Sequence, residues 1–303
     1  MSLPGMNMKA IRSMSQKNWS LLPVIGAGLL VLSAAPAEAT THTEKHFNVQ
    51  GRPVVVIQNV GNGRIEVKSW KNQEIVVAST QASNKITIES EQVGDRVDVR
   101  SSVVDISAQS SEMEANFQLT VPEETELQLK TQTGLIYVEQ VTGDMTLESV
   151  AGDVHLKEVS GYIIVKTTGG SLICTQCAGK LKFDSVSGSA QILQPGLNNV
   201  TLHTMTGNIL FDGDFVRTGL YSMSSGKGLV EVRFSGTDSF DLNAQTAMGT
   251  VDNRAAEFLK PDSHGVKHIA TKFTKGLFGT VGAGLAKVEL SSYSGTIRIL
   301  KRD

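Results

Sequence analysis

Thr133 to Gly161 reads TGLIYVEQVTGDMTLESVAGDVHLKEVSG, and within it glycine returns every ninth residue, at Gly134, Gly143, Gly152 and Gly161. The beat continues through Gly170, Gly179 and Gly188. A period held this long marks a repeat architecture and has to be recognised before any other fold assignment. The residue before each glycine is small: Thr133, Thr142, Ala151, Ser160, Gly169, Ala178 and Ser187. Positions two, four and seven after it are mostly apolar, as in Ile136/Val138/Val141, Met145/Leu147/Val150 and Val154/Leu156/Val159. Polar side chains such as Thr146, His155, Lys157, Lys166 and Lys182 stand between them.

The alternation at plus two and plus four predicts a short strand with one buried face. The step to plus seven breaks that period, so the chain must bend there. The glycine is expected to supply a turn with φ > 0, which a β-carbon resists. Gly207 lies nineteen residues after Gly188, and nine residues before it stands Asn198. Asparagine also tolerates the left-handed region, and Val200, Leu202 and Met205 follow in the expected places. Asn198 therefore reads as the glycine substitute, with a one-residue insertion near Gln194-Pro195-Gly196. A hairpin meander needs uniform alternation from turn to turn. A β-solenoid stacks equivalent residues from successive coils, which an identical unit suits. The expected fold is thus all-β, a solenoid of nine-residue units with two units per coil and no helix required.

Outside that block the unit recurs loosely, after Gly63 (Ile65, Val67, Trp70), Gly228 (Val230, Val232) and Gly295 (Ile297, Ile299). The organisation read from the chain is a leader at 1–39, a β region at 40–130, the solenoid at 131–214, and a β region at 215–303 that continues or caps it. Caps are expected because exposed ends of a stacked sheet invite edge-to-edge pairing.

Lys9, Arg12 and Lys17 precede the apolar run Leu21–Ala35, and Ala37-Glu38-Ala39 supplies a small-x-small cleavage pattern. That is the form of an export signal. The run is short of the roughly 20 apolar residues a spanning helix needs and contains Pro23, Gly26 and Gly28. Cleavage after Ala39 is expected, leaving no transmembrane segment and a periplasmic, cell-surface or secreted protein. In the 303-residue chain, 28 Lys and Arg stand against 30 Asp and Glu. With no basic excess to neutralise phosphates, nucleic acid is not an expected partner. Cys174 and Cys177 form a lone CxxC with neither a βαβ context nor further zinc ligands. The repeat gives both core positions, as buried thiols or a local disulfide.

Several segments in order resemble the bacterial putative-adhesin family of exported β-strand-repeat proteins, a domain of unknown function. They are Val60–Trp70 (VGNGRIEVKSW), Leu119–Pro122 with Leu127–Thr131, the units at Thr142-Gly143-Asp144 and Ala151-Gly152-Asp153, and Gly282–Ile299. The resemblance spans about residues 46 to 300. It implies a β-repeat scaffold and supplies no catalytic residue to carry over. The Asn198 unit and the Cys174/Cys177 unit depart from the pattern.

Chemistry was sought in each remaining feature. Calcium-binding parallel rolls need GGxGxD, but Asp follows the glycine only at Asp144 and Asp153. Asp212-Gly213-Asp214 is the nearest thing to the paired carboxylates of a polysaccharide-cleaving enzyme, and it reads better as a turn. His264 and His268 are four apart, yet Pro261 and Gly265 make a loop rather than a metal-binding helix. Gly276, Gly279, Gly282 and Gly284 lack the strand-before, helix-after context of a phosphate loop, and no GxSxG elbow is present. The expectation is therefore a non-enzyme without metal or cofactor. It would be a putative adhesin or envelope protein offering a repeated polar face to a surface glycan or an envelope protein. A periplasmic stress-linked scaffold is the alternative, with a polysaccharide-acting enzyme behind it.

Overall fold

In the computed structural model, which describes residues 40–259 and 275–302, nearly every element is a strand. The leader 1–39, and His264 with His268, lie outside the described residues. The N-terminal part forms β1 (Thr41–Asn48), β2 (Val54–Asn59), β3 (Arg64–Trp70), β4 (Glu74–Gln81), β5 (Ile86–Val93), β6 (Arg96–Val103) and β7 (Ala115–Pro122). The regular block gives β8 (Glu126–Thr131), β9 (Leu135–Glu139), β10 (Met145–Ser149), β11 (Asp153–Lys157) and β12 (Ser160–Thr167). It continues through β13 (Leu172–Thr175), β14 (Ala178–Ser185), β15 (Ala190–Leu193), β16 (Gly196–Thr204) and β17 (Ile209–Asp212). There follow β18 (Leu220–Ser225), β19 (Val230–Phe234), β20 (Phe240–Thr246), β21 (Thr250–Asn253), β22 (Lys275–Val281), β23 (Ala286–Ser292) and β24 (Thr296–Lys301). A single 3-10 turn, Ser110–Met113, interrupts the strands.

Two nine-residue units make one coil, and each coil gives one strand to each of two twelve-stranded sheets. Successive coils pair in parallel with a register of eighteen, lengthened to nineteen at the β14–β16 step, so Leu127, Met145, Ile163, Leu181 and Val200 form one inward column. The facing column from the other sheet is Ile136, Val154, Leu172, Ala190, Ile209 and Val230. All eleven are buried. Coils follow at the inter-strand spacing of about 4.8 Å. The β-solenoid expected from the sequence is the fold.

Stacking order departs from chain order at both ends. The coil β6–β7 lies outside β2–β3, and β23–β24 lies between β18–β19 and β20–β21. Antiparallel strands close the ends: β5 on β6, β4 on β7 with β1 beyond it, and β22 on β20. The outermost β1 is exposed along most of its length and carries Glu44, Lys45 and His46, charges that discourage further pairing.

The two corners of a coil are built differently, which the nine-residue period conceals. Where β10 turns into β11, Ser149 Oγ accepts the Gly152 N–H at 2.6 Å. Thr167, Ser185, Thr204, Ser225, Thr246 and Ser292 do the same for the glycine three residues on. At this corner plus seven points outward, so Val150, Val186 and Met205 are 48%, 48% and 57% exposed. At the other corner Val141, Val159 and Cys177 are buried. There Gln140, Glu158, Gln176 and Gln194 are left-handed, with φ between 49° and 59°, and Gly143, Gly161 and Gly179 beyond them also have positive φ.

The glycines divide by corner, except that Gly134, at the head of the column of Gly152 and Gly170, keeps a positive φ. Gly134, Gly143, Gly161 and Gly179 have positive φ. Gly152, Gly170, Gly188 and Gly207 do not, so a left-handed turn is not what selects them. Their constraint is closeness of approach: a β-carbon on Gly170 would overlap the carbonyl oxygen of Gly152 one coil away. Asn198 also needs correction. Ala178 pairs with Gly196 and Gly179 with Leu197, after which the register slips and Lys180 pairs with Asn199. Asn198 is itself the extra residue, bulged from β16, and its φ is not positive. Leu197 takes the glycine's place, because a bulge absorbs an insertion inside a strand more easily than a tight corner does.

Candidate functional site

Charged side chains on the outer faces stand one coil apart and mostly neutralise one another. Lys130 and Lys166 flank Glu148 at 3.5 and 3.7 Å. Lys157 donates to Glu139 at 2.7 Å, and Tyr137 donates to the same carboxylate at 3.0 Å. Those two hydrogen bonds hold the Glu139 carboxyl below its ordinary range, while the Lys157 ammonium is raised. Near the C-terminal end Glu231 lies between Arg233 and Arg298, and Asp252 between Arg298 and Arg254.

The carboxylates of Asp212-Gly213-Asp214 belong to this pattern. Asp212 faces Arg233 at 3.5 Å and Arg302 at 3.6 Å, and Asp214 meets Arg302 at 2.6 Å. Both carboxylates are thus held in ion pairs with guanidinium groups. Asp153 accepts the Ser171 N–H at 2.8 Å. Among the described residues no three His, Cys, Asp or Glu side chains converge as metal ligands. Cys174 and Cys177 are joined in a disulfide with a Cα–Cα distance of 6.0 Å, and both are buried.

One stretch of the outer surface breaks the pattern of paired charges. Beside the corner that enters β10, β12, β14 and β16, Asp144, Tyr162, Lys180 and Asn199 follow one another in register, one coil apart. They border a groove of about 700 Å³ that also includes Gly161, Gly179 and the bulged Asn198. Gly161 and Gly179 contribute backbone alone to its lining, and Tyr162 beside them is 44% exposed. Asp144 faces Arg52 at 3.9 Å. Among the described residues, the polar side-chain atoms of Tyr162, Lys180, Asn198 and Asn199 have no hydrogen-bond or ion-pair partner within the protein. The next coil adds Leu220, 52% exposed, opposite Asn199. The arrangement offers an aromatic face, two amides and an ammonium in a line, which is recognition chemistry rather than bond-breaking chemistry.

Sequence reasoning placed glycines here but missed the groove. The signal was present in two facts: Asp144, Tyr162 and Lys180 are eighteen apart, and the insertion falls on the same row. Reading in nines mixes this row with the opposite face and hides it.

The molecule is a two-sheet parallel β-solenoid whose ends are closed by antiparallel strands. Residues 44–300 match the family model described as Toastrack DUF4097, and the chain belongs to that family, a domain of unknown function. Among solved structures it is similar to one described as a putative adhesin from Bacteroides fragilis, at 12% identity, 86% of this chain, 97% of that one and a TM-score of 0.46. It is also similar to a putative cell adhesion protein from Clostridium sporogenes, at 10% identity, 87% of this chain, all of that one (100%) and a TM-score of 0.32. No curated protein matches the chain. No helix among the described residues is long and apolar enough to cross a membrane.

Proposed function

We propose that the chain is an exported, non-catalytic binding protein of the cell envelope that presents its rigid outer rows to a glycan or protein partner. The observation that carries this reading is the row Asp144–Tyr162–Lys180–Asn199, where the polar groups of Tyr162, Lys180 and Asn199, without internal partners, line a groove on a scaffold that repeats coil by coil. The sequence of the leader supports export: a positive segment, an apolar run and Ala37-Glu38-Ala39. The pairing of Asp212 and Asp214 with Arg302 argues against a role for them in hydrolysis.

Protease treatment of intact cells, followed by immunodetection before and after lysis, tests the reading. Loss of the signal on intact cells is the expected result and would mark a surface protein. Full protection until lysis would overturn surface adhesion and favour a periplasmic scaffold.

A further inference from the structure

The groove beside Tyr162 has a length, a direction and a chemistry that narrow its occupant. Its polar side chains come from the residue before β10 and from the successive strands β12, β14 and β16, so the row runs along the stack and perpendicular to the strands. Neighbouring members are therefore separated by the coil spacing of about 4.8 Å. An extended β-1,4-linked sugar chain advances by nearly the same length per hexose. A bound peptide strand, by contrast, pairs through free backbone groups at a sheet edge. Here the backbone groups of β12 and β14 already pair with strands on both sides, leaving only side chains to make contact.

The geometry points to a binding site for a linear, β-1,4-linked glycan, one sugar unit to each coil, along Asp144, Tyr162, Lys180 and Asn199. This assignment rests on the binding reading above and names the ligand class of that same site. The exposed Tyr162 ring gives an apolar face for the C–H side of one pyranose. Asn198 and Asn199 each carry a donor pair and an acceptor, the complement needed for adjacent hydroxyls that both give and take hydrogen bonds. Lys180 contributes donors between ring and amides. Asp144 contributes acceptors, its charge offset by Arg52 at 3.9 Å. The bulge matters because it adds a second amide to the row: without the extra residue the register would provide one side chain per coil. Gly161 and Gly179 line the groove with backbone, since a β-carbon on either would meet the carbonyl of the preceding coil.

The test is titration of the purified protein with cellotetraose and chitotetraose, which are extended, and with maltotetraose, whose α-linkages curve the chain. Saturable binding of at least one extended tetramer and not of maltotetraose is expected. Tyr162→Ala should weaken that binding about tenfold or more, and Tyr162→Phe should retain it within a few-fold. Lys180→Ala and Asn199→Ala should each weaken it by a smaller factor. These side chains face outward, and unchanged thermal unfolding of each variant checks that the scaffold is intact. Binding that is unaffected by Tyr162→Ala would overturn this site while leaving a glycan-binding protein in place. Equal binding of maltotetraose would overturn the match between sugar and coil. No binding of any tetramer would overturn the assignment, and the cell-surface experiment would still decide the broader reading.

Discussion

The carbonyl oxygen of Gly152 occupies the space that a β-carbon on Gly170 would need. The same relationship recurs from Gly170 to Gly188, from Gly188 to Gly207 and from Gly207 to Gly228. One corner of the stack is thus a column of backbone in contact with backbone. Gly169, immediately before, is different: its nearest neighbour would be the Ser187 hydroxyl at 3.6 Å. Adjacent glycines therefore predict opposite results. Gly170→Ala should cost about 1–3 kcal/mol by overpacking, whereas Gly169→Ala should change stability by less than about 0.5 kcal/mol. Urea unfolding of the two variants makes the comparison, and equal midpoints would contradict the close-approach argument.

The hydroxyl column beside those glycines gives a second prediction. Ser185 Oγ accepts the buried Gly188 N–H at 2.7 Å. Ser185→Ala removes the acceptor and leaves the donor stranded, at a cost of about 1–3 kcal/mol. Ser185→Thr keeps the hydroxyl, as Thr167 and Thr204 do in neighbouring coils. Its unfolding midpoint should lie close to that of the parent protein.

Tyr221 packs edge-on against Phe211 and Phe215, with ring centroids 5.5 and 4.7 Å away, and ties them to the bulged strand. Its hydroxyl donates to the Leu197 carbonyl at 2.6 Å and accepts the Val216 N–H at 2.8 Å. Burial pushes its pKa up to about 12, against the Val216 N–H, which favours the phenolate. An unfolded tyrosine ionises near pH 10. The neutral ring's contribution is therefore fully present below about pH 10 and is lost as pH rises toward 12. Tyr221→Phe should lower stability at neutral pH and flatten its fall between those values. An unfolding series from pH 8 to 11.5 would show whether the slope depends on this ring.

His46 predicts a local rather than global response. As an imidazolium its ring donates to the Glu74 carboxylate at 2.9 Å across the β1–β4 pair and to that of Glu44 at 3.0 Å. Hydrogen bonds to Glu74 and then Glu44 raise its pKa above the ordinary histidine value. The imidazolium's support for β1 docking is complete below the unfolded pKa and lost as pH rises through the folded one. After correction for intrinsic rates, amide exchange in residues 41–48 should be faster at pH 8.5 than at pH 6. His46→Gln should remove that difference, leaving the core strands unaltered.

Much of the architecture was legible because a solenoid writes its geometry into sequence: Ile163 sits above Met145 and below Leu181 in space and eighteen residues from each in the chain. The corners were less legible. A period of nine treats Val141 and Val150 as equivalent, although one is buried and the other about half exposed. The Ser/Thr-x-x-Gly signature at Ser149–Gly152 and Ser185–Gly188 separates the corners, but only once two units are read as one coil. Asn198 misled for a related reason, since counting back from Gly207 locates an insertion somewhere and cannot tell a turn from a bulge. The groove requires both corrections. Its members have no unusual composition, and what distinguishes Lys180 from Lys166 is the company each keeps.

The position of β23–β24 between two earlier coils carries a consequence for how the protein is made. Residues 286–301 are synthesised after β18–β21, yet they form an inner layer, pairing with β18 and β19 on one side and with β20 and β21 on the other. A shortened product lacking them would leave four strand edges with no mates, and quality-control proteases act on such openings. The fold thereby doubles as a check on progress: the inner layer is fitted only after the strands that flank it have waited for it.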